Sequence, residues 1–528
     1  MCQNNNIIAI GSGVMKTDMV ARCVRQFGSR NLKLHSVLLL SLTALGLFLA
    51  CAGDVPLTTG ASNAPRVPSL SDLPRLKSVT QYGITWTFEA PAPVGRFVNG
   101  DLYVVGPATI TNIAPRPLVG SEVPLTEVVE AEKKRFPDSK YVRNGSMLKP
   151  PARDEVAFDT GIPNYCNPEL VAVPPVKMKP GDCLASTISL KLAEKADFPY
   201  HSEGSREQGD NCPLKTLAVL TCVAEPLPPD AFRPSYGDRQ QKIYYSHNLR
   251  RNLLRRLPLP PDAPNVLTWI RVFQRPWFNT CFFGFDQPME NMPHYGQWVG
   301  QAQSVGGLML MLDYNPENKE RLLINMVQVG IDYWGLVQNG HQGWGGWGGH
   351  GSGRKFPIVL AGLLLGDDAM ASPTKNFPKV EFGEDNQTMY GNGWTGAKAL
   401  FAGHTGLRSA GKAPNPEWGP YEHVPPSKWS KGNFTSECYR RANTSSSWVG
   451  EALIIRMLHA EKEWNHDAFF DYVDRWMTED DTGPGRIIMQ SWPDINLNDH
   501  DKWNREGYTW EPFVKTMWER YRNHIDEK

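Results

Sequence analysis

One short stretch of this chain combines groups that can transfer protons with flat aromatic faces. Residues 341–355 read HQGWGGWGGHGSGRK and contain seven glycines, two tryptophans and two histidines. Glycine lets a backbone approach a ligand closely, Trp344 and Trp347 offer surfaces on which a sugar ring can stack, and His350 can act as a general base. Arg354 can hold a carboxylate through two hydrogen bonds. The stretch predicts a ligand-facing loop, although a glycine-rich connector capped by its tryptophans would have the same composition.

A second set of polar groups comes shortly before this loop. Residues 290–296, ENMPHYG, bring together Asn291, His294 and Tyr295, with Pro293 fitting the first turn of a predicted helix. A carboxamide, an imidazole and a phenol can together abstract a proton next to a carboxylate. Each residue taken alone is also explained by helix capping and packing.

A third set of polar groups lies on the C-terminal side of the glycine-rich stretch. In residues 437–450, ECYRRANTSSSWVG, Tyr439 precedes Arg440 and Arg441 and a run of Ser and Thr residues that can cap the next helix. Adjacent arginines in a loop can both reach a polyanion. A solvated charge pair beside a cap is the alternative.

The region between these stretches is rich in aromatic residues and histidine. Residues 371–436 form a long predicted loop region, and loops of this length usually have a function. The residues in it that could line a binding groove are Tyr390, His404, Trp418, Tyr421 and His423.

The sequence predicts no cofactor. Residues 494–501, DINLNDHD, contain oxygen ligands that suit a structural Ca²⁺ ion, but they depart from the EF-hand spacing. The tail of the glycine-rich stretch, GHGSGRK, lacks the spacing of a phosphate-binding loop. The Gly-x-Ser-x-Gly motif of α/β hydrolases does not occur.

Composition limits the class of partner. The 528 residues contain 55 basic and 55 acidic side chains. A dedicated nucleic-acid-binding protein would normally be basic, so nucleic acid is not an expected partner. Fifteen of the 17 tryptophans lie from Trp277 to Trp518, so the two halves of the chain differ in kind.

The N-terminal residues have the features of an export signal. A basic stretch precedes the apolar run at 37–50, VLLLSLTALGLFLA, which is short for a membrane span and typical of a signal peptide. The Cys51 that follows resembles a lipid-attachment site, while ordinary signal cleavage nearby is the alternative. We expect residues 1–50 to be a signal peptide and the protein to be exported to a bacterial cell surface or periplasm, with a lipid on Cys51 attaching it to the membrane.

The remaining chain predicts an α+β multidomain protein. After a Pro/Ser/Thr-rich tether at 51–78, residues 79–230 alternate apolar and polar positions between turn signals, which predicts an antiparallel β-sandwich. A Pro-rich and basic linker is expected at 231–265. Residues 266–528 have helical periodicity at 289–312, 318–338, 354–366, 445–464, 466–477 and 511–522. Paired helices with apolar residues on more than one face predict an (α/α) toroid or incomplete barrel.

Residues 266–525 resemble the secreted bacterial (α/α)-toroid polysaccharide lyases, including alginate and glucuronan lyases. The resemblance covers about half of the chain, and it rests on the helical layout and on stretches such as NMPHYG, GGHGSGRK and YRR…SSWVG. It implies β-elimination on a uronic-acid polysaccharide, in which the C6 carboxylate is neutralised and a Tyr or His removes the C5 proton.

The resemblance implies roles for particular residues. Asn291, His350 and Arg354 would neutralise the carboxylate, and Tyr295 or Tyr439 would act as base or acid. His294 and Arg440 would support them.

Two other functions fit the same residues. A glycoside hydrolase on this scaffold would need two opposed carboxyls, for which the sequence offers Glu290, Asp385, Glu417, Glu422 and Glu451. A glycan-binding surface lipoprotein would need only the aromatic faces.

Overall fold

The structure is a computed structural model, and it describes residues 64–128, 141–150, 155–160, 166–191, 194, 213–238, 240–280, 289–409, 411–492 and 511–525. The predicted signal peptide, Cys51 and the predicted Ca²⁺ segment lie outside these residues. The described chain mixes helices and strands, with a curled sheet first and helices after it.

The first part of the described chain consists mainly of strands; Ile84–Phe88 of the second strand alternates between buried and half-buried positions, whereas the strands at Cys183–Ser189 and Leu214–Val223 are buried almost throughout. The strands are β1 (Arg75–Gln81), β2 (Ile84–Arg96), β3 (Leu102–Val105), β4 (Ala108–Ala114), β5 (Leu118–Val119), β6 (Val142–Arg143), β7 (Ser146–Leu148), β8 (Val176–Met178), β9 (Cys183–Ser189) and β10 (Leu214–Val223). An eight-stranded sheet has the order β7-β9-β10-β3-β2-β4-β8, with β1 also on β2. Strands β5 and β6 pair separately.

Strand β2 connects the two ends of this sheet because it is long enough to have different partners along its length. Its first half pairs with β4, and its second half pairs with β3. The pairing is antiparallel throughout, except that β10 runs parallel to β3. A cluster of apolar side chains that includes Trp86, Phe88 and Leu220 fills the curl.

The second part is mainly helical. Its α-helices are α1 (Val266–Gln274), α2 (Gly296–Leu310), α3 (Pro316–Gln338), α4 (Lys355–Leu365), α5 (Asp368–Ala371), α6 (Pro373–Asn376), α7 (Gly383–Asn386), α8 (Lys431–Tyr439), α9 (Val449–Met457), α10 (Glu461–Trp464), α11 (Asp467–Thr478), α12 (Thr482–Ser491) and α13 (Pro512–Tyr521). A parallel pair, β11 (Gly343–Trp344) and β12 (Glu381–Phe382), and a hairpin, β13 (Thr388–Tyr390) and β14 (Ala399–Phe401), lie between them.

Single turns complete the secondary structure. The 3₁₀ turns are Leu70–Asp72, Gly120–Glu122, Leu125–Glu127, Pro168–Leu170, Ser246–Asn248, Arg251–Leu253, Pro426–Lys428 and Ser445–Trp448, and Arg440–Thr444 is π-helical.

Helix α2 is the centre of the helical part. Every one of its residues is buried, and it packs against α3, α9 and α13. The sequence prediction begins this helix at 289, but the structure begins it at Gly296, with Tyr295 in an extended conformation at the cap. Pro293 therefore precedes the helix instead of lying in its first turn. A proline disfavours helical backbone in the residue before it, which explains the late start.

Capping residues fix the ends of other helices as the sequence suggests. The Asn315 side chain accepts hydrogen bonds from two backbone amides of the first turn of α3, and Pro316 follows it. Gly366 ends α4 with a left-handed φ of 68°. The predicted helix at 445–464 is divided into a 3₁₀ turn, α9 and α10, with His459 at a φ of 53° in the break.

A buried ion-pair group joins the sheet to the helices. The Arg233 side chain is fully buried; its Nε donates to Asp101 Oδ2 (2.6 Å) and its Nη2 to Asp332 Oδ2 of α3 (2.5 Å). Burial opposes the charge of Arg233, but the two carboxylates outweigh it and raise its pKa. Residues on both sides of Arg233 are buried too. This part of the predicted linker therefore belongs to the packed interior.

The ordered sheet also begins earlier than the predicted boundary. Strand β1 starts at Arg75, inside the stretch predicted as a tether. Among the described helices, none is long and apolar enough to cross a membrane.

Candidate functional site

The glycine-rich stretch forms a tightly packed loop between α3 and α4, not an open flexible one. A side chain at Gly343 would lie 2.0 Å from Glu381 O, one at Gly351 2.2 Å from Gly345 O, and one at Gly353 2.4 Å from Gly300 N. Gly343 and Gly353 also have positive φ angles, of 94° and 86°. Most of the glycines are therefore explained by backbone packing, which corrects part of the ligand-facing prediction.

The first half of the loop belongs to the core. Trp344 is fully buried, and its ring stacks on His341 with the centroids 4.4 Å apart. His341 accepts from Gly343 N at Nδ1, and its Nε2 faces Thr280 O at 2.8 Å. Burial lowers the pKa of His341 to about 4. Trp344 therefore exposes no ring face in this structure, and its binding role stays a prediction.

The second half of the loop carries His350 to the cap of α2. The rings of Tyr295 and His350 meet edge to face with their centroids 4.6 Å apart. Gly349 N donates a hydrogen bond to the Tyr295 hydroxyl oxygen at 3.3 Å. A phenolic oxygen that accepts a backbone N–H is better able to carry negative charge.

A second histidine and tyrosine lie on the other side of the same loop. His404 and Tyr439 also meet edge to face, with centroids 4.6 Å apart. The backbone of His404 makes two hydrogen bonds. Its carbonyl oxygen accepts from Gly348 N (2.8 Å), and its backbone N–H donates to Ser436 Oγ (3.0 Å). Tyr295, His350, His404 and Tyr439 are called the histidine–tyrosine cluster below.

Two tryptophans flank the histidine–tyrosine cluster. Trp347 lies 6.2 Å and Trp418 5.1 Å from His404, between ring centroids. Both tryptophans are half-buried, as are Tyr295, His404 and Tyr439, whereas His350 is buried. The part of the loop that is open to solvent therefore combines proton-transfer groups with aromatic faces.

Both histidines of the cluster are neutral at neutral pH. Burial, with smaller contributions from His404 and Arg354, holds the pKa of His350 well below its ordinary value. Burial lowers the pKa of His404 to about 4. A neutral imidazole can accept a proton or a hydrogen bond, but it brings no positive charge to an anionic ligand.

Two carboxamides border the cluster that the sequence analysis did not select. Gln297 is the second residue of α2. In the amide orientation in which its Oε1 accepts from Trp298 Nε1, its Nε2 donates to Asn443 O at 3.3 Å. Gly349 packs between Tyr295, Gln297 and Asn443. Asn443 lies in the π-helical segment Arg440–Thr444, and such segments are frequent at functional sites.

Two of the predicted neutralising groups bind backbone carbonyl oxygens. Asn291 is buried, and its Nδ2 donates to Val272 O and Arg275 O at the end of α1. Arg354 is fully buried and donates from Nη1 to the carbonyl oxygens of His350 (2.9 Å) and Ser352 (2.5 Å). Both residues support backbone, so neither is placed to bind a carboxylate in the open part of the loop. His294 is also buried, next to Tyr295 in sequence.

Arg440 and Arg441 are held by internal ion pairs, and their predicted contacts with a polyanion stay predictions. Both arginines are buried and pair with Glu437, and Arg441 also pairs with Asp481. Tyr421 is buried as well and donates its hydroxyl to Glu437 Oε2 (2.6 Å). Burial by itself would raise the pKa of Glu437, but the two arginines hold it below its ordinary value. This ion-pair group fixes the backbone on which Tyr439 lies.

Two of the predicted groove residues are exposed elsewhere. Tyr390 of β13 donates to Asp471 Oδ2 of α11 at 2.6 Å. His423 is exposed after the buried Tyr421. Neither has a recorded contact with the histidine–tyrosine cluster, so their binding roles stay predictions.

The residue types in the sequence did not point to Gln297 and Asn443, the two carboxamides that border the cluster. Gln297 lies inside the predicted helix, and Asn443 lies inside a stretch in which the arginines drew attention. The i, i+3 and i, i+4 spacing of Glu437 to Arg440 and Arg441 was a readable signal of an internal ion pair.

The described residues contain no group of three or more His, Cys, Asp or Glu side chains arranged to hold a metal ion. No protein-family model matches this chain. Searches of curated proteins and of solved structures also gave no match.

Proposed function

We propose that this protein is a polysaccharide lyase that cleaves a uronic-acid-containing polymer by β-elimination. The observation that carries the proposal is the Tyr295 hydroxyl, which accepts the Gly349 N–H beside the neutral His350. This arrangement favours a phenolic oxygen as the base that removes the C5 proton of a uronate.

The remaining proton transfer is assigned to the second half of the cluster. As the C5 proton leaves, a double bond forms between C4 and C5, the bond from C4 to the glycosidic oxygen breaks, and that oxygen needs a proton. Tyr439, half-buried beside His404, would donate it. Tyr295 would start as the phenolate and His404 would orient Tyr439; after product release the C5 proton leaves Tyr295 to water and Tyr439 takes a proton from water, which restores both tyrosines.

Charge at the C6 carboxylate must be offset for the C5 proton to become acidic. Since Arg354 and Asn291 support backbone, we assign this role to the carboxamide of half-buried Asn443, which the buried Gln297 holds beside Tyr295. Trp347 and Trp418 would stack on the sugar rings at either side.

The hydrolase alternative is less well supported. Of the carboxyls that it would use, Glu290 pairs with Arg275, Asp385 with Lys355 and Glu422 with Arg475. Glu451 is fully buried. Among the described residues nominated for hydrolysis, none forms an open, opposed carboxyl pair with another.

The finer architecture is part of the proposal. The strand β2, which pairs with different partners along its length, supports a β-sandwich. The packing of α3 against both α1 and α4, and the contacts of the central α2 with α3, α9 and α13, support an incomplete (α/α) barrel. A crystal structure in which the helices do not form the inner and outer layers of a ring would contradict the barrel.

Turnover of alginate, glucuronan and pectin, with a neutral glycan as control polymer, tests the activity. We expect ultraviolet-absorbing unsaturated ends from at least one uronate polymer. Tyr295→Phe and Tyr439→Phe should each lower kcat by about 10²–10⁴-fold, whereas Tyr521→Phe on α13 should not. Reducing ends without unsaturation would indicate a hydrolase, and binding without products would indicate a glycan-binding protein.

Export and lipid attachment are also proposed, on the apolar run that precedes Cys51. Labelling of a bacterial host with a radioactive fatty acid should mark the wild type and not Cys51→Ser. Equal labelling of both proteins would exclude Cys51 as the attachment site.

A further inference from the structure

A fully buried group of charged side chains contacts the backbone of the glycine-rich loop. Glu384 of α7, Glu451 of α9 and Arg354 are all fully buried. Glu384 Oε1 accepts the N–H of Gly353 at 2.6 Å. Arg354 binds the carbonyl oxygens of His350 and Ser352. The group therefore holds the loop backbone from both its N–H and its C=O side.

The side chains of Glu384 and Glu451 lie within hydrogen-bonding range of each other. Glu384 Oε2 and both carboxyl oxygens of Glu451 have no donor from the described residues. Two carboxylates that face each other in a buried site cannot both be ionised without a large cost. One proton between them converts the repulsion into a hydrogen bond from acid to carboxylate.

The charges around the pair agree with one shared proton. Arg354 from the loop acts on Glu451, and Lys355 and Asp385 act on Glu384. Lys355 is fully buried and pairs with Asp385. With one proton on the glutamates, two cations face two anions.

Other neighbouring elements do not change this balance. Helix α2 has no ionisable side chain and contributes the Ser304 hydroxyl, which accepts Glu451 N at 3.2 Å. From α3, Tyr333 faces Arg354. Asp474 of α11 pairs with Arg456 instead.

We propose that Glu384 and Glu451 share one proton and, with Arg354, act as positioning residues that hold the glycine-rich loop so that His350 and Gly349 meet Tyr295. The link to catalysis rests on the proposed function, whereas the shared proton and the loop geometry do not. Nothing in the pair touches a substrate.

The proposal has a definite pH dependence. Burial first, and then the facing carboxyl, raises the pKa of Glu451 well above its ordinary value, and burial raises that of Glu384 to about 7. Because both pKa values are raised, protonation of the pair stabilises the fold fully below the ordinary carboxyl pKa, and this contribution is lost as pH rises, beginning at about 7 with Glu384 and ending when the shared proton leaves Glu451. Above that range the two charges repel and the loop loosens.

Infrared difference spectra and hydrogen exchange test this without any substrate. Between about pH 5 and about pH 9, the wild type should lose the carbonyl band of a buried protonated carboxyl. Over the same range, the hydrogen-exchange rate of the backbone amides of residues 343–355 should rise by a larger factor than the intrinsic base-catalysed rate does. In Glu451→Gln the amide donates to Glu384 permanently, so the part of the band that comes from the pair should be absent, leaving that of buried Asp332, whose pKa is also raised, and the alkaline loosening should be suppressed.

Glu519→Gln on the exposed face of α13 is the matched control and should behave like the wild type. The absence of the carboxyl band from the wild type at the acid end of the range would overturn the proposal, even if both core variants failed to fold. So would alkaline loosening that is unchanged in both Glu384→Gln and Glu451→Gln. If the proposed lyase activity failed its own test, these outcomes would be unaffected.

If the lyase activity is present, its pH profile reports on the same pair. We expect the wild type to lose activity on the alkaline side and Glu451→Gln to retain it there. A purely structural role would lower activity equally at all pH values and would contradict a positioning role.

Discussion

Gly348 lies where the loop passes between Tyr439 and His404. A side chain there would be 2.6 Å from the Tyr439 ring, and φ is +70°. We expect Gly348→Ala to cost about 1–2 kcal/mol in unfolding free energy from its left-handed backbone, and about 1–3 kcal/mol more from the clash. Urea denaturation measures both together.

Gly396 separates the two contributions. It also has a positive φ, but a side chain there would meet nothing within 4 Å. Gly396→Ala should therefore show the backbone cost alone. Equal losses in the two variants would mean that Tyr439 moves aside freely and is not held by the loop.

Trp344 and Trp347 are three residues apart, yet they should behave differently. Trp344→Ala removes a fully buried ring and should cost about 3–5 kcal/mol in unfolding free energy. Trp347 is half-buried, so Trp347→Ala should cost less stability and weaken retention on an immobilised uronate polymer. The reverse pattern, with weaker retention only for the Trp344 variant, would contradict the assignment of Trp347 as the tryptophan that contacts the polymer.

At the scale of elements, the junction of α8 and the π-helical segment depends on Glu437. Its carboxylate pairs with both Arg440 and Arg441. Removing one partner from a buried ion pair leaves uncompensated charge, so Glu437→Gln should cost about 3–5 kcal/mol. Glu479→Gln, which breaks the more exposed pair with Arg475, should cost about 0.3–0.5 kcal/mol.

The same pair gives a pH dependence of the opposite sign to that of the buried glutamates. Because the pKa of Glu437 is lowered, its stabilisation is present above the ordinary carboxyl pKa and is lost as pH falls through the lowered value. The difference in unfolding free energy between wild type and Glu437→Gln should therefore narrow in acid. A difference that stays constant with pH would exclude the ion pair as its source.

For the whole molecule, Arg233 is the main charged contact between the sheet and the helices. Burial, with Asp101 adding to it and Arg233 opposing it, raises the pKa of Asp332 to about 6. Arg233→Met would leave two buried carboxyls without their cation and should cost about 3–5 kcal/mol. Arg256→Met, which breaks an exposed pair with Asp313, should cost below about 1 kcal/mol.

The Arg233 variant should also affect cooperativity. Fifteen of the 17 tryptophans lie from Trp277 onward, so tryptophan fluorescence reports mainly on the helical part, whereas far-ultraviolet circular dichroism reports on the whole chain. We expect the two unfolding curves to coincide in the wild type and to separate in Arg233→Met. Coincident curves in the variant would show that apolar contacts alone couple the two parts.

Local pattern determined most of the elements of this protein. Alternation of apolar and polar residues predicted the segments that became β2, β3, β4, β9 and β10, and helical periodicity predicted α3, α4 and α11. These patterns depend on neighbours a few residues apart, so a single sequence contains them. The start of α2 and the break after α9 were missed because a proline and a positive φ decided them.

Sequence alone also selected Tyr295, His350 and Tyr439, because their types can transfer protons, and His404 as a residue that could line a groove. It did not reveal that they meet, since they come from four segments spread over about 145 residues. Only the tertiary structure decided which polar groups stay open and which hold the fold. Burial paired Arg440 and Arg441 with Glu437, turned Trp344 into core, and set Arg354 against the loop backbone with Glu384 and Glu451. An ionisable group acquires its role from what surrounds it, and those surroundings are assembled by long-range packing.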